Sequence, residues 1–146
     1  MKENFDKAVT FVLSKEGPYS NDPHDPGGET KFGISKRYHP KVDIKNLTID
    51  QAKAIYRTEY WQPAGCDTLP YPMDICVMDC VVNPGHWKTI MNQYIEMNWQ
   101  DFLLARIKYY TERPIEMEKH YFHGWVNRVL ELWEMIKNEN EKAKEV

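Results

Sequence analysis

Between Pro18 and Gly28 the chain reads Pro-Tyr-Ser-Asn-Asp-Pro-His-Asp-Pro-Gly-Gly, a run from which neither helix nor strand can be built. Proline fixes φ and removes a donor, Asn and Asp bond to their own backbone, and Gly27-Gly28 supplies the freedom for a sharp reversal. The segment must be a stiff loop. Immediately before it, Phe5, Ala8, Val9, Val12 and Leu13 recur at i, i+3, i+4, i+7 and i+8, the pattern of a helix with one buried face. Gly17-Pro18 stops that helix, which leaves Glu16 at its C-terminal end, on the lip of the loop. A short extended piece is expected around Lys31-Phe32-Gly33-Ile34.

The remainder reads as helices. Thr48-Ile49-Asp50-Gln51 has the form of a capping box and opens a helix running to about Tyr60. Pro72 suits the first turn of the next helix, in which Ile75, Met78, Val81 and Val82 form an apolar stripe ending at Asn83-Pro84-Gly85. This helix is apolar on much of its circumference and is expected to be central. Trp87 to Met97, Asp101 to Thr111 and Gly124 to Lys137 read as three more, with Arg113-Pro114 separating the last two and a charged tail, Asn138 to Val146, expected to fray. The spacing thus predicts a mainly α chain with a small β-hairpin or extended element near the N-terminus. At 146 residues it is expected to form a single domain, 1–146, with chemistry in 1–85 and supporting helices in 86–146.

Charge narrows the partners. Nineteen Lys and Arg against 22 Asp and Glu give a net charge of −3, so there is no global positive field to hold a polyanion, and nucleic acid is not expected to bind. No apolar run reaches the ~20 residues of a membrane helix, and the start, Met1-Lys2-Glu3-Asn4-Phe5-Asp6, lacks a signal-peptide core, so the reading is a cytoplasmic protein. Three cysteines, Cys66, Cys76 and Cys80, are an odd count and are read as buried free thiols. A metal site using Cys76, Cys80 and His86 lacks any recognised ligand spacing, so no metal and no cofactor is expected.

The candidate chemistry lies between Glu16 and Thr30. A Glu at a helix end, beside a rigid loop and beneath aromatic rings, is partly desolvated and faces the negative pole of its helix, and both effects favour the neutral acid. Asp25 lies nine residues after it and Thr30 fourteen, with Thr30 beyond the Gly27-Gly28 turn, which can fold the segment back over the first helix so that both face Glu16. A carboxylic acid with a second carboxylate is what hydrolysis of a glycosidic bond requires. Asp22 and Glu29 are rival second carboxylates, because spacing alone does not say which side chains converge.

Lys15-Glu16-Gly17-Pro18-Tyr19-Ser20-Asn21-Asp22-Pro23-His24-Asp25-Pro26-Gly27-Gly28-Glu29-Thr30-Lys31-Phe32-Gly33-Ile34 resembles the signature of glycoside hydrolase family 108, the phage endolysin-type muramidases, E-G-G-Y-x-N-x-P-x-D-P-G-G-E-T-x-x-G-I. Leu47-Thr48, Gln51-Ala52, Ile55-Tyr56, Tyr60-Trp61, Asp67, Leu69-Pro70, Asp79 and Val82-Asn83 followed by Gly85 are similar to the rest of that catalytic region. Phe122-His123-Gly124-Trp125-Val126-Asn127-Arg128 resembles its F-x-G-W-x-x-R motif. The resemblance implies a lysozyme-like fold and cleavage between N-acetylmuramic acid and N-acetylglucosamine, with Glu16 as general acid. Asp25 and Thr30 carry over as the residues that stabilise charge and place water; their spacing from Glu16 is also similar, one residue short between the last two, to that in another phage lysozyme family.

Two departures stand out. Pro18 replaces the second Gly of E-G-G-Y, which removes a backbone donor and stiffens the loop. From Gly85 the chain runs through His86-Trp87-Lys88 to Trp99 without the L-Q-x-x-L and D-G-x-x-G-x-x-T stretch of the family's wall-binding segment, so the catalytic part is expected to work alone. The expected partner is bacterial peptidoglycan, reached by a monomer of phage or prophage origin after release from the cytoplasm. A wall-binding or secretion-assisting protein without turnover, and a lytic transglycosylase, are the alternative readings.

Tyr19, Tyr60 and Trp61 are candidate platforms for sugar rings, with core packing as the competing account for Trp61 and for Trp87. Asn21, Glu29 and Asn83 are candidate substrate-binding groups, although Asn21 and Asn83 lie where local backbone bonds are the usual duty. Trp125 and Trp133 are expected in the core. Asp79, on the apolar helix, needs a buried partner, for which Arg106 or Arg128 is expected.

Overall fold

A computed structural model describes residues 2–83, 87–92 and 98–145. Its contacts group into two compact units, Met1–Asp67 and Thr68–Val146.

The first unit opens with α1, Lys2–Lys15, and the amide of Glu16 still bonds to the Val12 carbonyl at 3.0 Å, so Glu16 is held by the helix without being inside it. The buried face of α1 is Phe5, Ala8, Val9, Phe11 and Val12, and each of its larger side chains contributes roughly 1.5–3 kcal/mol when fully buried. The loop that follows returns as a minimal antiparallel hairpin, β1, Thr30–Lys31, and β2, Ile34–Ser35, with Thr30 opposite Ser35 and Lys31 opposite Ile34. Thr30 is also bridged on its other side to Ser20, each amide donating to the other's carbonyl at 2.8 Å. The hairpin turn, Phe32-Gly33, has φ of 53° and 78°, the pair of positive values that a type I′ turn demands. Glycine takes such an angle freely, whereas phenylalanine does not.

The capping box at Thr48 is complete: its hydroxyl accepts from the Gln51 amide at 3.2 Å, and the Gln51 side chain accepts from the Thr48 amide at 2.9 Å. The helix expected to reach Tyr60 is α-helical only as α2, Ile49–Tyr56, and continues as one π-helical turn, Arg57–Trp61, closed by the Gln62 amide on the Arg57 carbonyl at 3.0 Å. That wider turn rotates Trp61 into the core and leaves Tyr60 half-buried.

The second unit holds α3, Met73–Val82, buried without a break from Met73 to Cys80, as its apolar circumference predicts. After it come α4, Trp87–Asn92, and α5, Trp99–Thr111, which begins two residues earlier than its periodicity suggests because the Asn98 side chain caps it, accepting from the Asp101 amide at 2.8 Å. The sequence expectation of helix over 93–97 lies outside the described residues. The last helix, α6, runs from Ile115 to Lys144 and corrects two expectations, a start at Gly124 and a frayed tail. Gly124 costs an exposed helix only about 1 kcal/mol, too little to start or stop it. The tail is rich in helix formers, its Glu139–Lys142 and Glu141–Lys144 spacings support a helix, and Lys142 and Lys144 lie in the last turn, where the dipole favours cations. Glu139 is also anchored, accepting the Tyr71 hydroxyl at 2.7 Å.

All three cysteines are buried free thiols, and burial pushes the Cys80 thiol up to about 12 and that of Cys76 higher still, so neither is a nucleophile near neutrality. Trp125 and Trp133 are half-buried in aromatic clusters, Trp125 stacked on Tyr110 and Tyr121, Trp133 tilted against Trp99.

Candidate active site

The first unit brings the candidate residues to two ends of one hairpin. At the turn end, the half-buried side chain of Glu16 lies so close to Gly33 that a β-carbon there would stand 2.8 Å from Glu16 Cγ and 3.0 Å from Cδ, and would collide with the Tyr56 hydroxyl. Only glycine fits, for its φ and for the space. The Tyr56 hydroxyl donates to the Phe32 carbonyl at 2.7 Å, which helps hold Phe32 in its disfavoured positive-φ conformation. Tyr60 is within electrostatic reach of Glu16: desolvation raises the pKa of its phenol first, with the charges of Glu59 and Glu16 adding to the effect. The Tyr56 hydroxyl and Glu16 thus meet at Gly33, with the Tyr60 phenol in electrostatic range.

At the other end, a β-carbon on Gly27 would lie 3.2 Å from Asp25 Oδ1 and 3.8 Å from Thr30 Oγ1, so both groups gather at that glycine. Asp25 Oδ1 accepts from the Gly27 amide at 2.8 Å, and Thr30 Oγ1 donates to the Gly28 carbonyl at 3.3 Å. The rival carboxylates also hold local bonds, to different groups. Asp22 Oδ1 caps its own turn, accepting from the His24 amide at 2.8 Å, and Glu29 accepts the Tyr19 hydroxyl at 2.6 Å. That bond to Glu29 is the main reason the Tyr19 phenol titrates above its ordinary value, with the Asn21 side chain acting in the opposite sense. Tyr19, Asn21 and Glu29 thus form one polar group on the loop, with Asn21 exposed and the other two half-buried.

Two candidates stand elsewhere. Trp61 is 0 % exposed, edge-on to Phe5, and its indole donates to Asp67 at 2.7 Å. A sugar cannot stack on it; the π-helical turn makes it a core residue and corrects the substrate-binding expectation. Asn83 belongs to the second unit, where it caps α3 and its carbonyl accepts from Arg106 at 2.7 Å. The same guanidinium bonds Asp79 at 2.8 Å, and Arg128 bonds the other Asp79 oxygen at 2.8 Å, so both expected partners are engaged. Burial, the largest single influence, would lower the pKa of Arg106, but the Asp79 charge and hydrogen bond together with Tyr110 and Cys80 outweigh it and the net shift is upward.

Tyr56 and Gly33 were not among the candidates read from the sequence. The signal for Tyr56 was present in Ile55-Tyr56, where the chain is similar to the family's catalytic region. That for Gly33 was a glycine just after a β-forming residue, where a two-residue turn needs positive φ. Among the described residues no group of three or more His, Cys, Asp or Glu is arranged to hold a metal ion, and no helix is long and apolar enough to cross a membrane.

Comparison with known proteins places these residues in a wider context. The family described as Glycosyl hydrolase 108 matches residues 9–85, more than half of the chain and the whole of the hairpin region. Among solved structures, the structure of Brucella abortus SagA aligns with a TM-score of 0.76 at 23 % identity, over 94 % of this chain and 96 % of that one. At that identity the likeness carries the fold, which is mainly helical and lysozyme-like, as the sequence predicts. No curated protein matches the chain.

Proposed function

We propose that this chain, which belongs to the glycosyl hydrolase 108 family, cuts bacterial peptidoglycan at the β-1,4 bond between N-acetylmuramic acid and N-acetylglucosamine. Glu16 is the general acid, donating its proton to the glycosidic oxygen as the bond breaks. Asp25 stabilises the positive charge that develops on the sugar or takes a proton from water, and Thr30 orients that water. Tyr19, Asn21, Glu29 and Tyr60 hold the glycan. The enzyme works as a monomer without a cofactor, on the wall outside the membrane, and is of phage or prophage origin.

The observation that carries this reading is the hairpin. Its turn packs against Glu16 beside Tyr60, and its base gathers Asp25 and Thr30 at Gly27. Ser35, the residue opposite Thr30, lies two positions after Gly33, so one short hairpin links the group at Glu16 to the group at Asp25. Asp22 and Glu29 are set apart from Asp25 by the company they keep, Asp22 on the His24 amide and Glu29 on the Tyr19 hydroxyl, whereas Asp25 gathers with Thr30 at Gly27.

Mass spectrometry of fragments released from purified walls tests the bond and the reaction together. Reducing N-acetylmuramic acid ends are expected. Anhydro-muramic ends would make the chain a lytic transglycosylase, and binding to walls with no new ends would make it a non-catalytic wall protein.

A further inference from the structure

Beside the hairpin, the first unit contains a cavity of about 520 Å³ whose lining includes none of Glu16, Asp25 and Thr30, a volume within the roughly 300–1,000 Å³ typical of small-ligand sites. Its floor is apolar, made by Val42, Leu47, Ala54 and Ile55, and its rim carries one cation and one anion, Lys41 and Asp43. We propose that this cavity takes the peptide stem attached to N-acetylmuramic acid, a short peptide with methyl side chains, free carboxylates and an amine. The inference rests on the peptidoglycan reading and adds a second recognition element to it.

The cavity is a built feature of the loop between β2 and α2. Two lysines of the hairpin region hold that loop by its carbonyls, Lys36 on Val42 at 2.7 Å and Lys31 on Lys45 at 3.1 Å. Ile44 and Leu47 bury beneath it, and α2 supplies the opposite wall from Ala54 and Ile55. Ala54 is exposed, and its small side chain leaves the space open. The Asp43 carboxylate is oriented by Asn46, whose side-chain amide donates to it at 2.9 Å, and those bonds hold its pKa below the ordinary value, so it stays charged.

Chemistry selects the ligand. The N-acetylglucosamine part of the glycan is uncharged, so a rim with both signs of charge has little to recognise there. The peptide stem presents a carboxylate to Lys41, an ammonium to Asp43 and methyl groups to the apolar floor. Position agrees as well. The side chain of Lys31, next to Thr30 on β1, holds the Lys45 carbonyl at 3.1 Å, and Thr30 is bridged to Ser20 on the loop that carries Tyr19, Asn21 and Glu29. A stem branching from a muramic acid bound at that loop would reach the cavity without leaving the first unit.

The test is an NMR titration of isotope-labelled Glu16→Gln protein with the free tripeptide L-Ala-γ-D-Glu-L-Lys, and separately with chitotetraose. Saturable shifts of amides in 41–55 with the tripeptide are expected. Ala54→Phe, which fills the cavity without removing a polar partner, is expected to weaken that binding at least about tenfold. Lys41→Glu, at an exposed position, is expected to weaken it similarly and serves if Ala54→Phe does not fold. Unsaturable shifts, shifts centred on Tyr19 and Tyr60, chitotetraose moving the 41–55 amides in place of the tripeptide, or unchanged affinity in both variants would each overturn the proposal. Because the readout is binding by a protein not required to turn over, a failure of wall hydrolysis would be seen separately and would count against the hydrolase reading alone.

Discussion

Glu16 and Asp79 are both acidic residues held by helices, yet their surroundings differ in the respect that separates catalysis from stability. Asp79 is buried on α3, with one oxygen on Arg106 and the other on Arg128. A carboxylate so satisfied has no capacity left for a substrate, and its charge is needed to keep two buried guanidinium groups company. Glu16 is half-buried just past the end of α1, pressed against a glycine turn and bordered by tyrosines. The contrast teaches that burial alone does not mark a functional acid; a carboxylate locked between two guanidinium groups inside a helix bundle differs from one set at a helix end against a turn.

Exchanging each acid for its amide puts most pressure on this comparison. Glu16→Gln is expected to lower kcat/KM on wall glycan by roughly 10²–10⁴-fold, with thermal melting changed far less than by the corresponding change at Asp79. Asp79→Asn leaves Arg106 and Arg128 with an uncompensated buried charge and should cost about 3–5 kcal/mol in denaturant unfolding. Equal stability losses in the two variants would erase the distinction. Gly33→Ala sharpens it, because the added carbon meets Glu16 and Tyr56 in a backbone conformation that L residues rarely adopt. The expected outcome is about a 100-fold fall in kcat/KM from a displaced acid, with a backbone cost of roughly 1–2 kcal/mol; unimpaired activity would show that the turn does not position Glu16.

The smallest effect concerns Tyr71, which donates to Glu139 in the second unit. Burial first, and then that bond, raise its pKa well above the ordinary phenol value. The neutral phenol is the form the folded state favours, so its contribution is fully present below the unfolded pKa of about 10 and is lost as pH rises through the higher folded value. Alkaline titration followed by phenolate absorbance should show one tyrosine fewer ionising late in Glu139→Gln than in the wild type.

The helical frame was legible because it rests on local rules. The stripe on α1, the capping box at Thr48 and the Arg113-Pro114 break each act within a turn or two of chain. The need of Asp79 for a guanidinium partner was legible for a different reason: an unpaired buried charge is too costly to survive. What the sequence could not settle depended on small departures in geometry. One π-helical turn decides that Trp61 is core and Tyr60 half-buried, and nothing in Arg57-Thr58-Glu59-Tyr60-Trp61 signals that extra residue. Spacing likewise does not encode which groups Asp22, Asp25 and Glu29 meet, the His24 amide, the Gly27 turn with Thr30, and the Tyr19 hydroxyl.

The central claim is that Glu16 supplies the proton that breaks the glycan. Side-by-side mass spectrometry of muropeptides released by wild-type and Glu16→Gln protein, each confirmed folded by its melting curve, tests it most directly. Reducing N-acetylmuramic acid ends from the wild type and almost none from the variant are the result this account predicts. Equal release from both would contradict it and move the search for the acid to another residue.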